Sequence, residues 1–221
     1  IEELRFGDAT VTVAAAVQAG FGEAGSLALN HQARTVTLQR SYDNPVVVAF
    51  VATENGPHPV SVRVSSAVGD RLTLRLQEPH YLDGWHVMET VNYLVVEAGT
   101  WILPDGTLIE AGTLESNQLS SQGFESVAFD AAFDAAPVVL SQVQSDVGAS
   151  FVTTRQRDAD ADGFEITMQE EEAQNGGSHS AETLGWIALE AGAGEVAGFA
   201  WAAGRTGGVS DAGANVALPQ G

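Results

Sequence analysis

The chain has 221 residues, and its 29 Asp and Glu against nine arginines and no lysine give a formal net charge of −20. A field of that sign repels phosphate backbones and anionic lipid, which argues against nucleic acid and membrane surfaces as partners. The absence of cysteine removes disulfides, thiolate metal sites and thiol chemistry, and the longest strongly apolar run, Val46 to Ala52, is far below the roughly twenty residues a membrane helix needs.

Residues 1–22 carry one strand signal, Ala9 to Val17, and read as a leading strand or linker. The chain starts at Ile1, with neither an initiator Met nor the layout of a signal peptide, so a larger parent is expected. From Pro45 a pattern begins that the chain later writes again. The first copy has Pro45-Val46-Val47-Val48, Arg63, Leu76-Gln77-Glu78, His86-Val87-Met88-Glu89-Thr90 and Leu94-Val95-Val96-Glu97-Ala98-Gly99. The second has Pro137-Val138-Val139-Leu140, Arg155, Met168-Gln169-Glu170, His179-Ser180-Ala181-Glu182-Thr183 and Ile187-Ala188-Leu189-Glu190-Ala191-Gly192. Matched spacing over such a length marks a tandem repeat. The boundaries read as 23–110 for the first module and 111–202 for the second. Ala203-Gly204-Arg205 and Asn215-Val216-Ala217-Leu218 echo earlier strings, so 203–221 reads as the start of a third repeat or a closing strand.

Within each copy the signals are those of strands. Val60, Val62 and Val64 alternate with Ser61, Arg63 and Ser65; Leu72, Leu74 and Leu76 with Thr73, Arg75 and Gln77; Phe164, Ile166 and Met168 with Glu165, Thr167 and Gln169. Pro45 to Ala52 is apolar on both parities and reads as a strand covered on both faces. Turn residues fall at Glu54-Asn55-Gly56-Pro57, Gly69-Asp70, Pro104-Asp105-Gly106 and Asp162-Gly163. Residues 99–123 and 192–208 read as connectors with one strand each. No stretch holds a helical period. The expected fold class is all-β, two tandem antiparallel β-sandwich modules.

Parity places Tyr93 with Glu97, and Trp186 with Glu190, on one face of each closing strand. An aromatic plate near Arg63 or Arg155 and a carboxylate is equipment for a sugar, unless the rings pack internally. His86 with Glu89, and His179 with Glu182, lie on loops, where the pair orders a hairpin, meets a ligand, or holds a metal. Tyr81, Trp85 and His80 give the first of these loops a tip suited to stacking, whereas Glu170-Glu171-Glu172 makes the second acidic. Asp158, Asp160 and Asp162 with Gly163 match the opening of a calcium loop, but position twelve is Gln169 and no helix follows; a polar hairpin turn is the alternative. Nothing supports an activated nucleophile, so no enzyme is expected.

The strings Val36-Thr37-Leu38, Tyr42-Asp43-Asn44-Pro45-Val46-Val47-Val48, Arg63 and Tyr93-Leu94-Val95, with Gly163-Phe164-Glu165-Ile166 and Trp186-Ile187-Ala188, resemble the H-type lectin domain. That resemblance implies a small antiparallel sandwich, often trimeric, that binds N-acetylgalactosamine or related sugars. Tyr81 to Thr90 also resembles repeats of large secreted or surface bacterial proteins.

The function expected from sequence is therefore a non-catalytic carbohydrate-binding module pair of a larger extracellular or cell-surface protein, able to form a homo-oligomer. Its ligand-binding residues are read as Arg63, Tyr81, Trp85, His86, Glu89, Tyr93, Arg155, His179, Glu182 and Trp186, with glycan or polysaccharide as partner. Two other readings stand beside it: a structural repeat of a bacterial adhesin or surface protein, whose acidic exterior supplies solubility or binds calcium, with Asp158, Asp160 and Asp162 as the candidate ligands, and an accessory module of a polysaccharide-degrading enzyme.

Overall fold

A computed structural model describes residues 3–6, 9–12, 20–173, 177–196 and 199–207, and among them the chain is all-β. The string Asn215 to Leu218 and most of the Ala9 to Val17 segment lie outside the described residues. A short hairpin, β1 (Glu3–Phe6) and β2 (Ala9–Thr12), comes first. The first copy then supplies β3 (Gly22–Leu29), β4 (Arg34–Tyr42), β5 (Pro45–Val51), β6 (Ser61–Gln77) and β7 (Glu89–Glu97). They form two antiparallel sheets, one ordered β3-β7-β5 and the other pairing β4 with β6.

The second copy repeats this plan. After β8 (Gly99–Ile102) come β9 (Leu108–Ser116), β10 (Glu125–Ala128), β11 (Val138–Val143), β12 (Val152–Arg157), β13 (Gly163–Glu170) and β14 (Glu182–Leu189). Its sheets run β11-β14-β9-β8 and β10-β13-β12. In both copies the last strand lies between the first and the third. A closing hairpin joins β15 (Gly192–Val196) to β16 (Phe199–Ala203). The connector at 99–123 thus carries two strands where one was expected, because the turn at Pro104-Asp105-Gly106 folds β8 back on β9. β9 also runs across the expected boundary at 110/111, since Glu110, Ala111 and Gly112 pair with β14.

Side-chain alternation sorts the apolar residues into three cores. Leu72, Leu74 and Leu76 point inward from β6 and meet Val47, Val91 and Val95 in the core of the first copy. Phe164, Ile166 and Met168 do the same from β13, meeting Val139, Leu184 and Trp186. The opposite parity of the inner strands builds the third core: Val46, Val48, Leu94 and Val96 pack with Val138, Leu140, Ile187 and Leu189. The apolar run at Pro45–Val51 is therefore covered on both faces, one by its own copy and one by its neighbour. Each fully buried aliphatic side chain contributes roughly 1.5–3 kcal/mol, so the two copies are cemented by the same force that folds each of them.

Candidate functional site

The repeated His-x-x-Glu-Thr string places a buried carboxylate at the start of each closing strand. In the first copy Glu89 accepts the Thr53 hydroxyl at 2.6 Å and the backbone N–H groups of Asn55 and Gly56, each at 2.8 Å. In the second, Glu182 accepts the Ser145 hydroxyl, the Val147 N–H at 3.1 Å and the Gly148 N–H at 2.7 Å. The Thr of the string closes the loop from the other side: Thr90 N–H donates to Thr53 Oγ1 and Thr183 N–H to Ser145 Oγ, both at 2.8 Å. Burial pushes both carboxyls up, but these hydrogen bonds outweigh it. Glu89 is held down to about 2 and Glu182 is also lowered. The motif's first duty is thus to tie the loop after β5 or β11 to the closing strand of the same copy, β7 or β14.

At Glu182 a further group arrives from the other copy. Arg63 of β6 donates from Nη2 to Glu182 Oε1 at 2.6 Å and to the Gly148 carbonyl at 3.1 Å, and from Nε to Asp146 Oδ1 at 3.2 Å. Its side chain is 2 % exposed and that of Glu182 0 %. This explains why a polar position in the alternation of β6 is buried. Arg75 joins Asp146 at 3.3 Å, Gln77 Nε2 donates to the Ala149 carbonyl at 3.2 Å, and the His80 N–H donates to Glu171 Oε2 at 2.8 Å. One edge of the first copy is thereby fastened to one loop end of the second. Breaking a buried pair of this kind by removing one partner costs about 3–5 kcal/mol.

His86 lies between two buried acids, with Nδ1 2.9 Å from Glu78 Oε1 and Nε2 3.2 Å from Glu89 Oε1. His58 Nδ1 also approaches Glu78 Oε1, at 3.2 Å. Ligand atoms of His58, Glu78 and Asp83 lie within 4.8 Å of one another, a set of oxygen and imidazole groups that could hold a metal ion. His179 takes a plainer place: Nδ1 donates to the Ser180 carbonyl at 2.9 Å, and the ring lies against Gly148.

The remaining residues read as ligand contacts are scattered. Tyr81 and Trp85 are 57 % and 58 % exposed on the loop before β7, and the Trp85 ring sits 5.6 Å from that of His31. Trp186 is 6 % exposed, inside the second copy's core and across from Gly112 of β9. Tyr93 is half-buried opposite Gly25. Each large ring lies over a glycine of the neighbouring strand, where any β-carbon would collide with it. Arg155 is exposed on β12. Asp160 Oδ1 accepts the N–H groups of Asp162 at 2.9 Å and Gly163 at 3.0 Å, and Asp158 Oδ2 pairs with Arg157 at 3.4 Å, so these acids shape the turn between β12 and β13.

Sequence reasoning missed Asp146, Gly148, Thr53 and Ser145. Their signal was present as a second repeated string, Thr53-Glu54-Asn55-Gly56 against Ser145-Asp146-Val147-Gly148, each a hydroxyl, an acid and a closing glycine.

No family model matches the chain, and no solved structure matches it. It is similar to Halomucin of Haloquadratum walsbyi, with 31% identity over 188 residues, covering 80% of this chain and 2% of that protein. The chain thus spans a very small fraction of a far longer archaeal relative, whereas the sequence reading expected a bacterial parent. Among the described residues no helix is long and apolar enough to cross a membrane.

Proposed function

We propose that this chain is a structural repeat segment of a very large secreted or surface protein, in which successive modules are locked together and present an acidic exterior. The observation that carries this reading is the Arg63 contact with Glu182, Asp146 and Gly148, which joins the two copies through buried, charge-assisted bonds. Its support is threefold. The inner sheets share one apolar core. The polar residues of the repeated motif are spent on loop and inter-copy bonds. The sequence relative is a protein of which this chain matches 2%. The lock predicts that the two copies unfold as one unit. In the Arg63→Met variant thermal unfolding should split into two transitions or fall by several degrees. An unchanged single transition in that variant would remove the lock as the basis of the function.

Carbohydrate binding is a second reading, favoured by one observation: Tyr81 and Trp85, with Met88, expose large apolar surface on a single loop. Solvent-facing rings on a loop held from below by a buried His86 suit stacking against a sugar face. In this reading residues 79–88 make the contact, and the H-type lectin resemblance gives the sugar class.

A further inference from the structure

Glu78 follows the last residue of β6, and its side chain is 0 % exposed. The bonds to it are lopsided. Oε1 faces both His58 Nδ1 at 3.2 Å and His86 Nδ1 at 2.9 Å, while Oε2 is buried with no hydrogen-bond partner among the described residues. A carboxylate oxygen taken out of water and left without a donor is costly to the fold, and a cation is one group that relieves it. His86 holds the carboxylate from behind and is held in turn by Glu89, with Nε2 3.2 Å from Oε1, so Glu78 is fixed in place by the protein alone.

Two exposed side chains, His58 and Asp83, complete a set with Glu78 whose ligand atoms all lie within 4.8 Å of one another. Nitrogen and oxygen ligands about 2.0–2.2 Å from a zinc ion stand at most about 4.4 Å apart, so a movement of under about 1 Å closes the set, and the exposed pair is free to make it. Their backbones are already restrained. His58 lies between Pro57 and Pro59, and Glu78 precedes Pro79, which confines both ligand residues to extended conformations. Asp83 opens the turn at Gly84, whose φ is +73°, and its Oδ1 accepts the Trp85 N–H at 2.9 Å. Two carboxylates match the charge of a divalent ion, and the imidazole favours zinc and its transition-metal neighbours over calcium and magnesium, which prefer oxygen alone. In the second copy the acid is kept at Glu170, but Ser150 stands two places after Gly148 where His58 stands two after Gly56. The imidazole is missing there.

We propose that His58, Glu78 and Asp83 bind one divalent transition-metal ion of the zinc class per chain, with water filling the remaining position. The site rests on neither of the functions proposed above. Its ligands come from the segment 57–59, the end of β6 and the loop 79–88, so a bound ion clamps that loop against the segment before β6. The loop it fixes is the one that exposes Tyr81 and Trp85. A net charge of −20 raises the local concentration of cations around the chain and assists capture.

Calorimetric titration of the chelator-treated full chain with zinc chloride at neutral pH tests this. One ion should bind per chain, and the melting temperature should rise with zinc concentration. His58→Ala and Asp83→Asn, both at exposed positions that leave the fold intact, should each weaken zinc binding by about a hundredfold or more, since losing a group that merely orients a ligand already costs about 10–100-fold. Calcium in large excess should not displace the zinc. In NMR spectra one equivalent of zinc should shift the imidazole signals of His58 and leave those of His179 in place. No zinc binding by the wild type overturns the site. Binding that survives both substitutions, or that calcium matches, overturns it too, because the ion is then a general counter-ion of an acidic surface.

Discussion

Gly148 lies directly beneath the imidazole of His179, so close that a β-carbon on it would stand 2.2 Å from Cε1. The same pair recurs in the first copy, where a β-carbon on Gly56 would stand 2.8 Å from Cε1 of His86. In both places the glycine also gives its N–H to the motif glutamate. Ring, glycine and carboxylate therefore form one unit that cannot be altered piecemeal.

Gly148→Ala should destabilise the protein by about 1–3 kcal/mol, the usual penalty of forcing a methyl into a filled site. Gly56→Ala should cost less, because its clash is milder. Urea unfolding of the two variants beside the wild type checks the order.

Acid should weaken the fold over a defined window. Glu89 and Glu182 lie below the ordinary value of 4.5 when folded, so the native state binds fewer protons than the unfolded chain. Their contribution is complete above that value and is lost as the pH falls toward about 2, the folded pKa of Glu89. For Glu89 alone the loss is roughly 3 kcal/mol. Unfolding free energies measured from about pH 6 to about pH 2 should fall, and in Glu89→Gln the fall should be shallower from a lower starting point.

Glu23 should behave in the opposite sense. Burial raises its pKa despite hydrogen bonds from Gln39, Arg40 and Tyr42. Its charged form is thus disfavoured in the native state above the folded pKa, and stability is regained as the pH falls through that value. Glu23→Gln keeps an oxygen acceptor for the Gln39 N–H and removes the buried charge. The melting temperature at neutral pH should hold or rise by a few degrees, since 1 kcal/mol moves a domain of this size by roughly 2–4 °C; a marked fall would show the charge itself to be needed.

If the loop at 79–88 contacts sugar, Tyr81→Ala and Trp85→Ala should abolish binding on a glycan array while leaving the melting temperature within about 1 °C, because exposed side chains away from caps and cores contribute little to stability. Arg63→Met should not lower glycan binding except through unfolding. Binding that survives both loop substitutions would place the sugar elsewhere.

The strands were legible because their apolar residues alternate, and Leu72, Leu74 and Leu76 or Phe164, Ile166 and Met168 face inward as that period requires. The face of Leu94, Val96, Ile187 and Leu189 was legible as apolar, but not its covering by the neighbouring copy. Alternation tells which residues share a side and carries no information on what lies opposite. Arg63 misled for the same reason: a polar residue in a half-buried strand reads as solvent-facing until a second sheet arrives above it. Whether Trp186 and Tyr93 were open plates or packed rings was not legible, because the glycines that seat them, Gly112 and Gly25, lie on another strand, far away in sequence.

The third strand of the first copy ends its sheet, and the hydrogen-bonding groups on its outer side would be free to recruit any extended peptide. Gln144 of β11 instead accepts the Val47 N–H at 3.0 Å and donates to the Pro45 carbonyl at 3.1 Å, while Gln142 Oε1 reaches the Ala49 N–H at 3.5 Å. Two amide side chains mimic the rungs of a missing strand without supplying one. An extended peptide that would add a strand at this edge finds its template already capped from within.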